Sequence, residues 1–494
     1  MNKTVKTPVA RTGLVAFILG ALAAAHVFFF AAAFPFYSVV DEQMHVDLAV
    51  HYSHADLPRS LTSPDTNALP FLALYGSPEF LQTEGPIAPP PWKEPMDTVR
   101  EKLLGKMAAY QEKFLNHEAS QPPLYYTLAG IWWRLGKMLS LDGLTLLYWL
   151  RFLNVPLILA LVWLGWMAAR SFFPENNFIQ VMVPAFIVCL PQTTFYAVNN
   201  DILSPLAFGA VFLLLLKFCG SEKPGHGLAA ATGLALAATF LTKISNLPLL
   251  AVAGLFLALK ILGTLWRGKG TFAPVLVLLL CAAVPMATWM MWCQTNFGDP
   301  TGAAQKVKFL NWADKPVSEW LHHPLFTTDG FWYFLKTNLA TFWQGEQLWH
   351  RQPLANPAID SAYVVLTLGA LALTLAALLY PRSGFTTQQR TAVAFCFLCF
   401  FAMLGFFALL SVKYDFQDCF YPSREHPYFT SGRLMLGMLI PFLILFTAGL
   451  DRLMKNFAAT TKFVLLVMLL GFMLASEFAT DSPVFDSAYN WFNM

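Results

Sequence analysis

Residues 122–139 read P-P-L-Y-Y-T-L-A-G-I-W-W-R-L-G-K-M-L. The stretch is apolar, but it is short, opens on Pro122-Pro123, and carries Arg134 and Lys137 beside the pair Trp132-Trp133. A spanning helix needs about 20 apolar residues. Paired aromatics with long cations suit a helix lying in the membrane–water interface instead. The distinction decides the topology, because a crossing here would move every later loop to the opposite side of the bilayer.

Working outward, eleven other stretches read as spans: about 14–37, 150–169, 178–197, 202–217, 227–243, 247–265, 272–292, 361–380, 391–411, 433–450 and 462–477. If 122–139 lies flat, one set of connectors holds Arg170, Lys217, Lys223, Lys260, Arg267, Lys269, Arg382, Arg390, Arg452, Lys455 and Lys462. These eleven join Lys3, Lys6 and Arg11 of the N-terminal tail on the cytoplasmic side, while the short outer connectors hold only Lys243, Lys413, Arg424 and Arg433. If 122–139 crossed, the later loops would change sides and their bias would oppose that of the N-terminus. The positive-inside rule therefore selects about eleven spans and a cytoplasmic N-terminus.

Composition agrees with a membrane solvent. The 494 residues are 56% hydrophobic and 12% charged, with mean hydropathy +0.52, and soluble domains carry about twice that charged share. The expected fold class is an all-α polytopic membrane protein. A net charge of +3 is too small to argue for a nucleic-acid partner. Of the seven cysteines, five (Cys189, Cys219, Cys281, Cys396, Cys399) fall in or beside apolar runs. They read as small hydrophobes, Cys396-x-x-Cys399 included. The N-terminal apolar run, from about Leu14 to Val40, is longer than a signal-peptide core and reads as an uncleaved anchor, with cleavage after A-A-A at 31–33 the alternative.

The chain then divides into an N-terminal membrane module over 1–292 containing a long first outer loop (41–149), a large outer loop (293–360), and C-terminal helices with an outer tail (361–494). No internal repeat is visible. Residues 40–47, V-D-E-Q-M-H-V-D, place Asp41, Glu42 and Asp47 just after the first span. Asn199-Asn200-Asp201 lies between the third and fourth spans, on the same side. Arg151 starts the second span, Lys243 ends the fifth and Arg433 starts the tenth. Carboxylates and isolated cations at one interface suit transfer from an anionic, lipid-linked donor. A carboxylate takes a proton from an attacking hydroxyl, and Arg or Lys holds a phosphate as it leaves.

Each residue also has a plainer reading. Asp41 and Asp201 suit helix N-caps, and Lys243, Arg151 and Arg433 suit interfacial anchors. His45, His51, His54 and Asp47 have helical spacings compatible with a metal, but a solvated helix face explains them more simply. Trp132, Trp133 and Trp149 read as an interfacial belt.

Taken in order, the polar elements resemble those of C-type (GT-C) membrane glycosyltransferases, a group that includes protein O-mannosyltransferases, aminoarabinose transferases and many uncharacterised bacterial members. The carboxylate pair after the first span resembles their first outer-loop motif. Gln121-Pro122-Pro123-Leu124-Tyr125-Tyr126 resembles an H-P-P-L-Y-Y element, with Gln121 in place of the histidine. Arg151-x-x-Asn154, Pro191 with Asn199-Asn200-Asp201, Thr242-Lys243, Thr341-Phe342-Trp343-Gln344-Gly345 and Ser431-Gly432-Arg433-Leu434 resemble later elements of the pattern, the last with Leu434 in place of tyrosine. The resemblance runs from about residue 12 to 450.

It implies an inverting transferase that uses a polyprenyl-phosphate sugar on the extracytoplasmic face, in the bacterial inner membrane and in contact with membrane lipids. Asp41 would be the general base or orient the acceptor, with Glu42 in support. Asp201 would orient the acceptor or share a divalent cation, Mg²⁺ or Mn²⁺, with Asp41. Lys243 and Arg433 would hold the donor phosphate, with Arg151, His45, Asn200 and Tyr125 as further substrate-binding candidates. Desolvation beside the headgroups would raise the pKa of the base. A lipid or solute transporter, or a non-catalytic subunit of the same fold, is the competing reading; transporters place ionisable groups nearer the midplane.

Overall fold

The computed structural model describes residues 8–37, 41–82, 85–94, 96–266, 272–380, 384–419 and 421–493, without the side chains of 8–11, 96–103 and 110. Lys3, Lys6, Arg267, Lys269 and Arg382 of the charge argument, Val40 at the end of the first apolar run, and the side chain of Arg11 lie outside the described residues.

The fold is all-α. The first half holds α1 (Pro8–Ala33), α2 (Glu42–Ser53), α3 (Leu69–Tyr75), α4 (Met96–Lys113), α5 (Leu124–Met138), α6 (Gly143–Arg151), α7 (Asn154–Phe172), α8 (Asn177–Val188), α9 (Ser204–Gly220) and α10 (His226–Thr242). The second half holds α11 (Leu247–Trp266), α12 (Phe272–Phe297), α13 (Ala303–Phe309), α14 (Val317–Trp320), α15 (Thr328–Gln344), α16 (Pro357–Leu379), α17 (Thr387–Lys413), α18 (Leu439–Leu453) and α19 (Ala459–Asp481). Among the described residues, strand is confined to two antiparallel pairs of two-residue strands, Ala313–Asp314 with Tyr414–Asp415 and Leu348–Trp349 with Gln352–Pro353.

Among the described residues, nine helices are long and apolar enough to cross a membrane. They match nine of the eleven expected spans. The other two expected spans are shorter helices, α8 with 12 residues and α10 with 17, so the count of eleven is not reached on length. At 1.5 Å per residue α8 reaches only about 18 Å, short of a hydrocarbon core of about 30 Å.

Past α8 the chain runs irregularly through residues 189–203, and every residue of that segment is buried. Backbone polar groups without helix partners are tolerated at such depth only if other protein groups satisfy them. Here Asn154 Nδ2 donates to the carbonyls of Phe195 (3.0 Å) and Ala197 (2.8 Å). Asn199 Nδ2 donates to Thr194 O at 2.8 Å, and its Oδ1 accepts Asp201 N at 2.9 Å. Gln192 Nε2 ties the segment to the end of α15 through Phe342 O at 2.7 Å.

The stretch at 122–139 forms α5, a helix of 15 residues that is not among the nine. Its inner face (Tyr125, Tyr126, Ala129, Trp133, Gly136) is buried and its outer face (Leu128, Ile131, Leu135, Met138) is exposed. The inner face packs on α2, and a Cβ at Gly130 would lie 2.8 Å from Ser53 N. The geometric consequence expected of a non-crossing α5 is present: Asp41 and Asp201 reach the same arginine.

The core is centred on α18, buried over almost its whole length. Thr374 of α16 donates to Leu445 O of α18 at 2.8 Å, and a Cβ at Gly449 would lie 2.1 Å from Ala370 O. Small residues permit such close helix approach in membranes. Gly449→Ala is therefore expected to separate α16 from α18 and cost about 1–3 kcal/mol, as overpacking does, read as a lowered melting temperature in detergent. Gly369→Ala on α16, where a Cβ meets nothing within 4 Å, should leave that temperature unchanged.

Candidate active site

The site is built from four distant chain segments around Arg433. This residue follows Gly432, whose missing side chain lets the chain pass Phe342 N at what would be 2.2 Å from a Cβ. The Arg433 guanidinium is nearly buried and faces three carboxylates. Nη1 donates to Asp201 Oδ2 at 3.2 Å, Nη2 lies 3.6 Å from Asp41 Oδ2, and Nε lies 3.4 Å from Glu346 Oε2.

Neither aspartate side chain caps a helix, which corrects the plainer reading of both: Asp41 stands at the N-cap position of α2 without a capping hydrogen bond, and Asn199 caps the turn that holds Asp201. Asp41 precedes α2 in a left-handed conformation (φ 69°), and its side chain caps nothing. Non-glycine residues seldom adopt that backbone, and where they do the strain often accompanies function. Its carboxylate turns outward to Arg433 and to His117 Nε2, 3.5 Å away, and remains 20% exposed. Asp201 sits inside a short 3₁₀ turn capped by Asn199. Its Oδ1 accepts Lys243 Nζ at 2.6 Å. The Arg433 guanidinium thus lies between Asp41 and Asp201 and reaches both.

A second group of charges adjoins the first. Glu118 accepts from Lys306 and, at 2.5 Å, from Gln121 Nε2. Gln121 Oε1 in turn accepts Asn200 Nδ2 at 3.2 Å. The ligand atoms of Asp41, His117 and Glu118 all lie within 4.8 Å of one another, so these three are the residues here that could hold a cation.

The electrostatics depart from expectation. Burial pushes the Asp41 carboxyl up, but the contact with His117 and the nearby charges of His117 and Lys306 outweigh it and hold the group down at about 2. Glu118 is likewise held well below the usual carboxylate range, because Lys306, His117, His45 and Lys243 outweigh burial. The carboxyl that burial does raise is Glu346, against the pull of Arg433 and Ser431. Burial also lowers Lys243, although Asp201 opposes it.

Two expected site residues lie elsewhere. Glu42 and Arg151 are fully buried and paired with each other, at 2.7 and 2.8 Å from Nη2 to the two carboxylate oxygens. Glu42 also accepts Tyr37 N (2.8 Å) and Val198 N (2.9 Å). Arg151 also donates to the carbonyls of Ala31 and Phe34, and stacks 3.8 Å over the Phe36 ring. In this structure Glu42 therefore clamps the irregular segment through Val198 N, with Arg151 as its counter-ion. His45 and Tyr125 are buried behind the site, His45 Nδ1 lying 2.7 Å from Tyr126 OH.

The family model described as "Predicted membrane protein (DUF2142)" matches residues 26–413. The chain belongs to the DUF2142 family. Within this DUF2142 chain the matched stretch contains every site residue named above except Arg433 and Ser431. The search of curated proteins finds no match. Among solved structures, the DUF2142 chain is similar to ArnT from Cupriavidus metallidurans bound to undecaprenyl phosphate, at 13% identity and TM-score 0.48, over 92% of this chain and 63% of that one. It is also similar to ArnT from the same organism in the apo state, at 14% identity and TM-score 0.34, over 89% and 78% of the two chains. The chain thus spans less than two thirds of the first ArnT chain.

His117, Glu118, Lys306 and Glu346 of the DUF2142 chain were not among the expected residues. Asn116-His117-Glu118 is a polar run four residues ahead of Pro122-Pro123, which is the one signal that points to it. Glu346 directly follows the Thr341–Gly345 element.

His45 yields a pH prediction. Burial lowers its pKa from 6.5 to about 4, with Lys243 acting the same way and Glu118, Asp41 and Asp201 opposing. The folded state therefore disfavours the imidazolium. Stability from this group is complete above about 6.5 and declines as pH falls toward 4, by roughly 3 kcal/mol at 1.36 kcal/mol per unit. His45→Gln should remove that decline: between pH 7 and 4.5 its melting temperature should fall less than that of the unmodified protein.

Proposed function

We propose that this protein is a membrane glycosyltransferase that moves a sugar from a polyprenyl-phosphate donor to an acceptor on the extracytoplasmic face of a bacterial inner membrane, with inversion. The observation that supports this most is the convergence of Asp41, Asp201 and Glu346 on Arg433, with Lys243 beside it. Such a site offers a carboxylate open to an acceptor next to cations able to take a phosphate.

In this reading the donor phosphate displaces part of the carboxylate set from Arg433 and Lys243. Asp41 accepts the proton of the acceptor hydroxyl as its oxygen bonds to the anomeric carbon. The bond from that carbon to the phosphate oxygen breaks, and the lipid phosphate leaves with the electron pair, its charge neutralised by Arg433 and Lys243. His117 keeps Asp41 ionised and oriented. Asp201 fixes Lys243 and Arg433 relative to each other, and Asn200 with Gln121 positions Glu118. A low pKa makes Asp41 a weak base, so most of the acceleration is assigned to charge stabilisation of the leaving phosphate and to positioning.

The experiment is transfer by purified protein from a panel of undecaprenyl-phosphate sugars to extracted envelope acceptors. Asp41→Asn should lower turnover by about 10²–10⁴-fold, the usual loss for a general base, at unchanged expression. Full turnover in Asp41→Asn would remove the base from the reading. Liposome uptake of solute with no lipid-linked donor present would favour a transporter.

A further inference from the structure

The geometry points to a second site, outside the transfer machinery: a divalent transition-metal site formed by His51, Asp56 and Asp65 and backed by Asp47. His51 lies in the last turn of α2, and the loop that follows turns back over it, Asp56 N donating to His51 O at 3.1 Å. His51 Nδ1 lies 2.9 Å from Asp56 Oδ2 and 3.6 Å from Asp65 Oδ2, and these ligand atoms all lie within 4.8 Å of one another. Ligand atoms on a tetrahedral zinc at about 2.0–2.1 Å are separated by about 3.3 Å, which the two measured spacings bracket. Asp65 is set for this role by its neighbours. Its Oδ1 takes the backbone N and side-chain amide of Asn67, at 2.7 and 2.9 Å, while Oδ2 faces His51.

The independent observation is on the other side of the ring. His51 is only 8% exposed, and its Nε2 is buried without a hydrogen-bond partner. That nitrogen lies 3.9 Å from Oδ1 of the fully buried Asp47, beyond hydrogen-bond distance. Asp47 is itself held by Asp65 N (2.8 Å) and Asn116 Nδ2 (2.8 Å). Without a cation, a single imidazole faces three carboxylates, one nitrogen serving two of them and the other none. With a cation on Nδ1, the proton resides on Nε2 and points to Asp47, the carboxylate–histidine–metal arrangement that fixes ring orientation at metal centres. The cation neutralises Asp56 and Asp65. One imidazole with carboxylates suits Zn²⁺ or Mn²⁺ better than the all-oxygen shell of Mg²⁺. The site would tie α2 to the loop before α3 and, through Asn116, to the segment that carries His117 and Glu118. Its role is to position that segment, so it stands whether or not the transfer reaction does.

The test uses the full-length protein in detergent, stripped with chelator and titrated calorimetrically with ZnCl₂, with MgCl₂ as comparator, together with elemental analysis after dialysis. One Zn²⁺ per chain is expected, with a raised melting temperature and no comparable response to Mg²⁺. Asp56→Asn alters a carboxylate that is 62% exposed and should leave folding intact while abolishing the stoichiometric Zn²⁺. Asp47→Asn should weaken binding about 10–100-fold. Absence of a bound equivalent in the unmodified protein overturns the inference. So does an equivalent that survives Asp56→Asn but is lost in His117→Ala, which would place the ion on the Asp41 cluster instead.

Discussion

Arg433→Ala is expected to destabilise the protein and, on the proposed function, to lower sugar transfer steeply. The guanidinium is the shared counter-charge of Asp41, Asp201 and Glu346, three carboxylates brought from segments more than a hundred residues apart. Removing it leaves Lys243 as the cation paired with Asp201 and takes from Glu346 its ion-pair partner. Losing one partner of a buried charge cluster costs about 3–5 kcal/mol, and losing an electrostatic contact made to a developing charge costs about 10²–10³ in turnover. Arg433→Lys keeps the charge but not the fork that reaches three acids at once. It should accumulate normally and retain measurable but reduced transfer. The measurements are steady-state transfer from an undecaprenyl-phosphate sugar and thermal denaturation. Wild-type turnover in Arg433→Ala would remove the phosphate-holding role.

Glu42→Ala produces the second large effect, and it is one of folding. Its carboxylate takes Nε and Nη2 of Arg151 and the backbone N–H groups of Tyr37 and Val198 with no exposure to solvent. Truncation leaves a buried guanidinium facing three carbonyls and two orphaned amides, a loss of about 3–5 kcal/mol. The protein should fail to accumulate in membranes, and Arg151→Ala should behave the same way. Glu42→Gln keeps an acceptor for the amides and should accumulate at a reduced level. If Glu42 worked at the chemical step, Glu42→Ala would instead accumulate normally and be inactive. The two outcomes separate by immunoblot alone.

The contrast between these neighbours shows what the sequence could and could not reveal. Asp41, Asp201, Lys243 and Arg433 are legible because each is a polar island at the end of an apolar run, and loop charge assigns their common side. Asp41 and Glu42 look like one acidic pair. Their side chains diverge because residue 41 is left-handed while residue 42 is already helical. No pattern of residue types encodes that turn. His117 and Glu118 are hidden for a different reason: their position follows from Asn116 hydrogen-bonding Met44 O and Asp47, a contact between positions about 70 apart. The carboxyl pKa expectation fails similarly, since desolvation was foreseeable but the contact between His117 and Asp41 was not. The helices themselves are mostly readable, except where α8 stops short and the chain goes on without helix.

That short helix has a consequence for biogenesis. Residues 189–203 enter the protein interior with carbonyls and amides that their own helices cannot serve, and Gln192 finds its acceptors about 150 positions later, at Thr341 and Phe342. A ribosome delivering the chain from its N-terminus therefore releases this segment long before its partners emerge. Until α15 arrives the segment must stay hydrated or lean on a helper, and the charge cluster around Arg433 is among the last parts of the molecule to assemble.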